Sequence, residues 1–128
     1  MKIIFLKGPS HSGKTTTLMQ LYEQLKSDGA RDLLPVRRCP RSGNDEEYYV
    51  SFNDKKIGIV TMGDSALETI LYIGIFLERG ADILVIANSN KEFPCAVVNW
   101  HKGEMQEVIV EKVSIADVGK VQEIMSHL

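Results

Sequence analysis

The chain has 128 residues with a formal net charge of −2, and 44% of its residues are hydrophobic and 25% charged. Such a length and composition are typical of one globular domain, so we expect residues 1–128 to form a single domain. The slightly acidic balance argues against a general nucleic-acid-binding protein, which presents a strongly basic face. The longest apolar stretch, residues 69–77, is far shorter than the roughly 20 residues of a membrane-spanning helix, so we expect a cytoplasmic protein with no membrane partner.

The first predicted elements are a strand, a glycine-containing loop and a helix. Residues 3–6 form a continuous apolar run that is typical of a parallel strand buried on both faces. A helix is predicted from Lys14 to about residue 28, because apolar residues recur at helical spacing and Gly29 follows as a stop.

Residues 30–62 are predicted to form a short edge strand, a polar loop and a hairpin. The apolar run 33–36 contains Pro35, which restricts a strand to a sheet edge. Residues 37–45 have the composition of a polar loop. Strands at 48–52 and 56–62 are separated by a short Asn-Asp connection, which favours an antiparallel hairpin.

The second half of the chain predicts alternating helices and strands. A helix is expected to about residue 79, then a buried strand at 83–87, a helix at 90–102, a strand at 107–113 and a final helix that is capped by residues 114–117. The alternation predicts a three-layer α/β sandwich with about five main strands, mostly parallel, and an antiparallel hairpin. Helix 66–77 is apolar around most of its circumference, so we expect it to be buried, with a homodimer interface as the alternative.

The loop after the first strand carries the strongest chemical signal. Its pattern Gly-x-x-x-x-Gly-Lys-Thr, between a buried strand and an amphipathic helix, is the phosphate-loop (Walker A) pattern. Backbone N–H groups of such a loop point at phosphate oxygens, Lys14 reaches the β- and γ-phosphates, and the Thr15 hydroxyl is a ligand for Mg²⁺. The residues expected to bind nucleotide are Gly8, Pro9, Ser10, His11, Ser12, Gly13, Lys14, Thr15 and Thr16. The side chain of His11 is expected to be a solvent-facing spacer, with a catalytic role as the alternative.

A second metal-holding group is expected at the carboxyl end of a neighbouring strand, where ligands of open α/β sheets collect. Asp64 follows strand 56–62 and is the candidate, either as a metal or water contact or as a cap of the next helix. Glu68 is a weaker candidate for a general base. Asp82 precedes its strand and is therefore expected at the opposite edge.

Three arginines, Arg37, Arg38 and Arg41, lie in the predicted polar loop. One of them, with Arg41 as the named candidate, could approach the γ-phosphate or an anionic second substrate. The alternative is a solvated loop whose charge is balanced by the acidic residues 45–47.

Residues 2–28 resemble the P-loop NTPase superfamily, whose members bind ATP or GTP with magnesium. Residues 56–65 and 81–87 are similar to those of small bacterial and phage proteins that are labelled only as ATP-binding. The chain has no DxxG or NKxD sequence, so a GTPase switch is not expected and ATP is favoured over GTP. It also has neither a separate arginine-rich lid nor a Walker B Asp-Glu pair at the expected positions.

The sequence therefore predicts Mg²⁺-dependent ATP binding with slow hydrolysis. Lys14 is expected to stabilise phosphate charge, Asp64 to hold the metal with Thr15, directly or through water, and Arg41 or a neighbour to approach the γ-phosphate. One alternative is a small-molecule or nucleotide kinase that uses loop 37–45 as a short lid. The other is a non-catalytic nucleotide-sensing module with a protein partner. The acceptor and the partner are not specified by the sequence.

Overall fold

A computed structural model describes residues 1–9, 12–38, 45–62, 66–88, 106–116 and 118–128. These residues contain seven strands, Lys2–Lys7 (β1), Arg31–Asp32 (β2), Arg37–Arg38 (β3), Glu46–Phe52 (β4), Lys55–Val60 (β5), Ile83–Asn88 (β6) and Gln106–Glu111 (β7). They also contain three helices, Lys14–Ser27 (α1), Ala66–Glu78 (α2) and Lys120–Met125 (α3).

The strands form one mixed sheet in the order β2-β4-β5-β6-β1-β7, and β3 pairs with β4 as well. Strand β1 is central and pairs in parallel with β6 and β7, while β6 pairs in parallel with β5. Strand β4 runs antiparallel to β5, β2 and β3. The sheet thus has a parallel half, β5-β6-β1-β7, and an antiparallel half, β4 with β2 and β3.

The predicted three-layer sandwich with a mostly parallel sheet of about five strands is wrong. The described residues give seven strands, and the parallel and antiparallel pairings are equally numerous, three of each. The difference comes from the segment between α1 and β4. Its two short strands, Arg31–Asp32 and Arg37–Arg38, are charged and exposed, and lie on either side of the predicted edge strand 33–36. Such strands are held by backbone hydrogen bonds and have no apolar alternation that a sequence pattern could detect.

Two hydrophobic cores lie on opposite faces of the sheet, because successive residues of a strand point to opposite sides. On one face Ile4 and Leu6 of β1 pack with the apolar residues of α1 and with Ile124 of α3. On the other face Ile3 and Phe5 pack with Tyr72, Ile73 and Phe76 of α2. The continuous apolar run of β1 therefore serves both cores, as its sequence predicted.

The hairpin, the first helix and the helix after the hairpin lie close to their predicted positions. The last helix does not begin at the predicted cap of residues 114–117. It begins at Lys120, after Gly119, whose φ of 85° is a left-handed conformation that favours glycine. The predicted helix 90–102 lies outside the described residues. Among the helices of the described residues, none is both long and apolar enough to cross a membrane.

Candidate phosphate-binding site

The phosphate-loop pattern lies at the carboxyl edge of the parallel half of the sheet. Strand β1 ends at Lys7 and helix α1 begins at Lys14, so the pattern lies in the connection between them. Hydrogen bonds hold its start between the two neighbouring strands: Gly8 N–H donates to the Asn88 carbonyl at 3.3 Å, and Lys112 N–H donates to the Lys7 carbonyl at 2.7 Å. The loop is therefore placed by the ends of β6 and β7 as well as by its own sequence.

Both glycines of the pattern are required by the surrounding geometry. A Cβ added at Gly8 would overlap the carbonyl oxygen of Lys112 and would lie 2.8 Å from Ser12 Oγ. Gly13 has a φ of 85° and precedes the first residue of α1. These two positions need a residue without a side chain, which agrees with the spacing of the pattern.

Lys14 folds back over the loop that precedes it. Its ammonium donates to the carbonyl oxygens of Gly8 at 2.6 Å and Pro9 at 2.8 Å, and the residue is buried. The hydroxyl of Ser12 is also buried and makes no hydrogen bond to any described residue. An unsatisfied buried polar group is costly and calls for an explanation, and a bound anion that accepts a hydrogen bond from this hydroxyl would supply one.

Thr15, the predicted metal-ligating residue, contacts a carboxylate that sequence reasoning did not select. Its Oγ1 lies 3.1 Å from Oδ1 of Asp45 and 3.5 Å from the carbonyl oxygen of Thr61. The Thr61 hydroxyl donates to the same Asp45 oxygen at 2.9 Å and accepts from the N–H of Glu46 at 2.9 Å. Asp45 and Thr61 thereby connect the start of α1 to the ends of β4 and β5.

A cavity of about 320 Å³ opens beside the phosphate loop and the first two turns of α1. Its volume is at the lower end of the range for small-molecule sites, roughly 300–1,000 Å³. One wall comes from the loop and α1, and the other from the segment between β7 and α3 together with the first two residues of α3. Its lining residues are Gly13, Thr16, Thr17, Gln20, Lys112, Ile115, Val118, Gly119, Lys120 and Val121.

The structure brings together most of the predicted phosphate-binding residues and adds several that the sequence did not indicate. Of the nine predicted residues, Ser10 and His11 lie outside the described residues, as do the candidates Asp64 and Arg41. Glu68 lies in the first turn of α2. The main additions are Asp45, Thr61 and Lys112. A signal for Lys112 was its place at the end of a strand, but Asp45 precedes its strand and gave no such signal.

No group of three or more His, Cys, Asp or Glu side chains that could hold a metal ion occurs within the described residues. No family model, curated protein or solved structure matches the chain.

Proposed function

We propose that the chain binds a nucleoside triphosphate with Mg²⁺ and hydrolyses it slowly, with ATP preferred over GTP. The observation that carries this proposal is the position of Lys14, whose ammonium is held against the backbone of a loop shaped by Gly8 and Gly13. Phosphate groups bind where such a loop meets a helix N-terminus, because the N–H groups and the helix dipole both favour an anion.

The cavity supports a nucleotide rather than a bare phosphate as the ligand. It is continuous with the phosphate loop because Gly13 belongs to both, and Thr16, which directly follows the pattern, also lines it. A ligand whose phosphates lie on the loop would place its nucleoside part between α1 and the segment after β7. The apolar side chains of Ile115 and Val121 supply the kind of lining that binds a base, and Gln20 and Lys112 supply polar groups.

The chain's own groups would act mainly by stabilising phosphate charge. Lys14 and the loop N–H groups would bind phosphate oxygens, and the buried Ser12 hydroxyl would gain an acceptor. The Thr15 hydroxyl would hold Mg²⁺, which would neutralise further phosphate charge when bound. Catalysis by charge stabilisation alone, without a general base, would be slow.

The decisive test compares ATP and GTP binding and turnover in the wild type and in Lys14→Ala. We expect the variant to lose affinity by at least about 100-fold, the effect of removing a charge-assisted contact of about 3 kcal/mol. The control is Lys26→Ala, which removes an exposed lysine from the far end of the same helix, where it pairs with Asp32 at 2.9 Å. Equal nucleotide affinity in the wild type and Lys14→Ala would overturn the proposal.

A second candidate, a small-molecule or nucleotide kinase, is favoured by the contact of Asp45 with Thr15. That contact brings the end of segment 37–45 to the phosphate loop. The next residue, Glu46, pairs with Arg38 of β3 in the sheet. Incubation with labelled ATP and a panel of nucleosides, nucleotides and sugars would give a phosphorylated product if this candidate is right. Tight binding without any transfer or phosphate release would instead indicate a sensing module.

A further inference from the structure

The carboxylate of Asp45 is in a position that the proposed nucleotide site can use. We propose that Asp45 is a positioning residue for the divalent cation, acting through the hydroxyl of Thr15. This inference rests on the proposed function, since it concerns the metal that would accompany the nucleotide. It differs from the sequence prediction, which assigned the acidic role to Asp64.

The hydrogen bonds around Asp45 fix one of its oxygens beside the Thr15 hydroxyl. Oδ1 of Asp45 lies 3.1 Å from Thr15 Oγ1 and 2.9 Å from Thr61 Oγ1. A hydroxyl that donates a hydrogen bond to a carboxylate has its lone pairs directed away from that carboxylate. The oxygen of Thr15 is thereby oriented as a metal ligand before any ion binds.

The backbone of the hairpin holds Asp45 in this place. The residue that follows it, Glu46, exchanges two hydrogen bonds with Thr61: its N–H donates to Thr61 Oγ1 at 2.9 Å, and its carbonyl accepts from Thr61 N–H at 3.1 Å. The start of β4 is thus hydrogen-bonded to the residue that follows β5. Because Thr61 also lies against Thr15, the three residues form one connected unit at the phosphate loop.

The chemistry of this unit fits Mg²⁺ better than a metal whose ligands all come from the protein. Mg²⁺ keeps several waters and is held by one or two carboxylates together with substrate phosphates. The Thr15 hydroxyl as ligand, with the Asp45 carboxylate hydrogen-bonded to it, would therefore be sufficient when nucleotide phosphates and water supply the other ligands. Mutation of a residue that hydrogen-bonds to a metal ligand typically lowers metal affinity by about 10- to 100-fold.

The test is Asp45→Asn, with nucleotide affinity measured in excess Mg²⁺ and in excess chelator. Asparagine retains an oxygen that can accept from Thr15 and Thr61, so the hydrogen bonds survive while the charge is lost. We expect the ratio of the two affinities to fall by about 10-fold or more, with affinity in chelator nearly unchanged. Direct Mn²⁺ binding to the nucleotide complex, followed by electron paramagnetic resonance, should weaken in parallel.

The matched control is Asp32→Asn, which likewise replaces a carboxylate by an amide. Asp32 lies in β2, a strand that pairs with β4. This variant should leave the ratio unchanged. Asp45→Glu retains the charge, so its ratio should lie between those of the wild type and Asp45→Asn. If Asp45→Asn does not fold, the ratio of Asp45→Glu is compared with that of the wild type instead. Asp64→Asn tests the sequence prediction directly.

The outcomes separate this inference from the proposed function. A wild type that binds no nucleotide overturns the proposed function. A wild type whose Mg²⁺ dependence survives in Asp45→Asn overturns the role of Asp45, and its loss in Asp64→Asn alone would give that role to Asp64. An equal loss of affinity with Mg²⁺ and with chelator means that Asp45 is only structural, which overturns the inference as well.

Discussion

The two halves of the sheet supply residues to the candidate site from opposite ends of their strands, the parallel half from the carboxyl ends and the antiparallel half from an amino end. In the parallel half, residues that follow a strand lie at the site: Gly8 after β1, Thr61 after β5 and Lys112 after β7. In the antiparallel half the contributing residue, Asp45, precedes its strand. Strand β4 runs opposite to β5, so the edge at which β5 ends is the edge at which β4 begins.

Asp82 shows how completely strand direction decides the place of a carboxylate. Like Asp45, it immediately precedes a strand, but that strand is β6, which is parallel to β1 and β5. Its carboxylate accepts from the N–H of Lys56 at 2.9 Å, and its carbonyl accepts from the N–H of Lys2 at 2.9 Å. Both partners lie at the starts of their strands. Two aspartates with the same local context therefore lie at opposite edges of one sheet.

The largest effect in the parallel half is expected for Gly8→Ala. The added Cβ would overlap the carbonyl oxygen of Lys112, and a backbone atom cannot move aside as a side chain can. We expect a loss of about 2–3 kcal/mol in the free energy of unfolding, together with loss of nucleotide binding. Urea unfolding and nucleotide titration measure the two effects.

Gly74→Ala is the matched control, because a Cβ at Gly74 in α2 has no neighbour within 4 Å. Helix propensity alone should then stabilise the protein by roughly 1 kcal/mol, with nucleotide affinity unchanged. If Gly8→Ala bound nucleotide as the wild type does, the close approach of β7 to the phosphate loop would not be part of the site.

An intermediate effect is expected at the cavity, which belongs to the parallel half and would hold the nucleoside. Ile115→Ala removes part of an apolar wall and should weaken nucleoside triphosphate affinity by about 3- to 10-fold, on the order of 1 kcal/mol. It should leave the affinity for inorganic tripolyphosphate unchanged, because that ligand needs only the phosphate loop. Competition titrations with the two ligands measure the difference.

Val113→Ala is the control for the cavity. Val113 and Ile115 have the same fractional exposure, 73%, but only Ile115 lines the cavity. Tripolyphosphate and nucleoside triphosphate affinities that fall together in Ile115→Ala would mean that the cavity does not hold the nucleoside.

The smallest effect is expected in the antiparallel half and should concern stability alone. Tyr48 of β4 stacks on Tyr22 of α1 with ring centroids 4.0 Å apart, and its hydroxyl donates to Glu46. Burial and a hydrogen bond to Asp32 raise the pKa of Tyr22 to about 12, and burial with the Glu46 contact raises the pKa of Tyr48 well above its ordinary value. Both tyrosines therefore stay neutral in the folded protein at pH values where they ionise in the unfolded chain.

The raised pKa values set the direction of the pH dependence. Their contribution to stability is fully present below the unfolded pKa of about 10 and is lost as pH rises toward the folded values. Tyr48→Phe removes one ionising group, so its free energy of unfolding should fall less between pH 9 and pH 11, by on the order of 1 kcal/mol. Nucleotide affinity at neutral pH should not change. If the free energy of unfolding fell equally in the variant and the wild type between pH 9 and pH 11, this account would be contradicted.

The sequence by itself determined the part of the site that is contiguous in the chain. A buried strand, a loop with two glycines and an amphipathic helix are local features, and residues 2–28 adopt the predicted order. The positions of Gly13, Lys14 and Thr15 follow from that order, because a helix that begins at Lys14 directs the residues of its first turn to the loop. The antiparallel hairpin was also predictable, since its short connection allows little else.

Only the tertiary structure decided which distant residues meet this loop. The segment between α1 and β4 forms two charged strands that pair through backbone atoms, so the predicted five-stranded, mostly parallel sheet did not anticipate them. The rule that ligands collect where strands end selects carboxylates that follow strands, and it holds for parallel neighbours. Asp45 reaches the site because β4 is antiparallel, and strand direction depends on the pairing of the whole sheet and not on the residues next to Asp45.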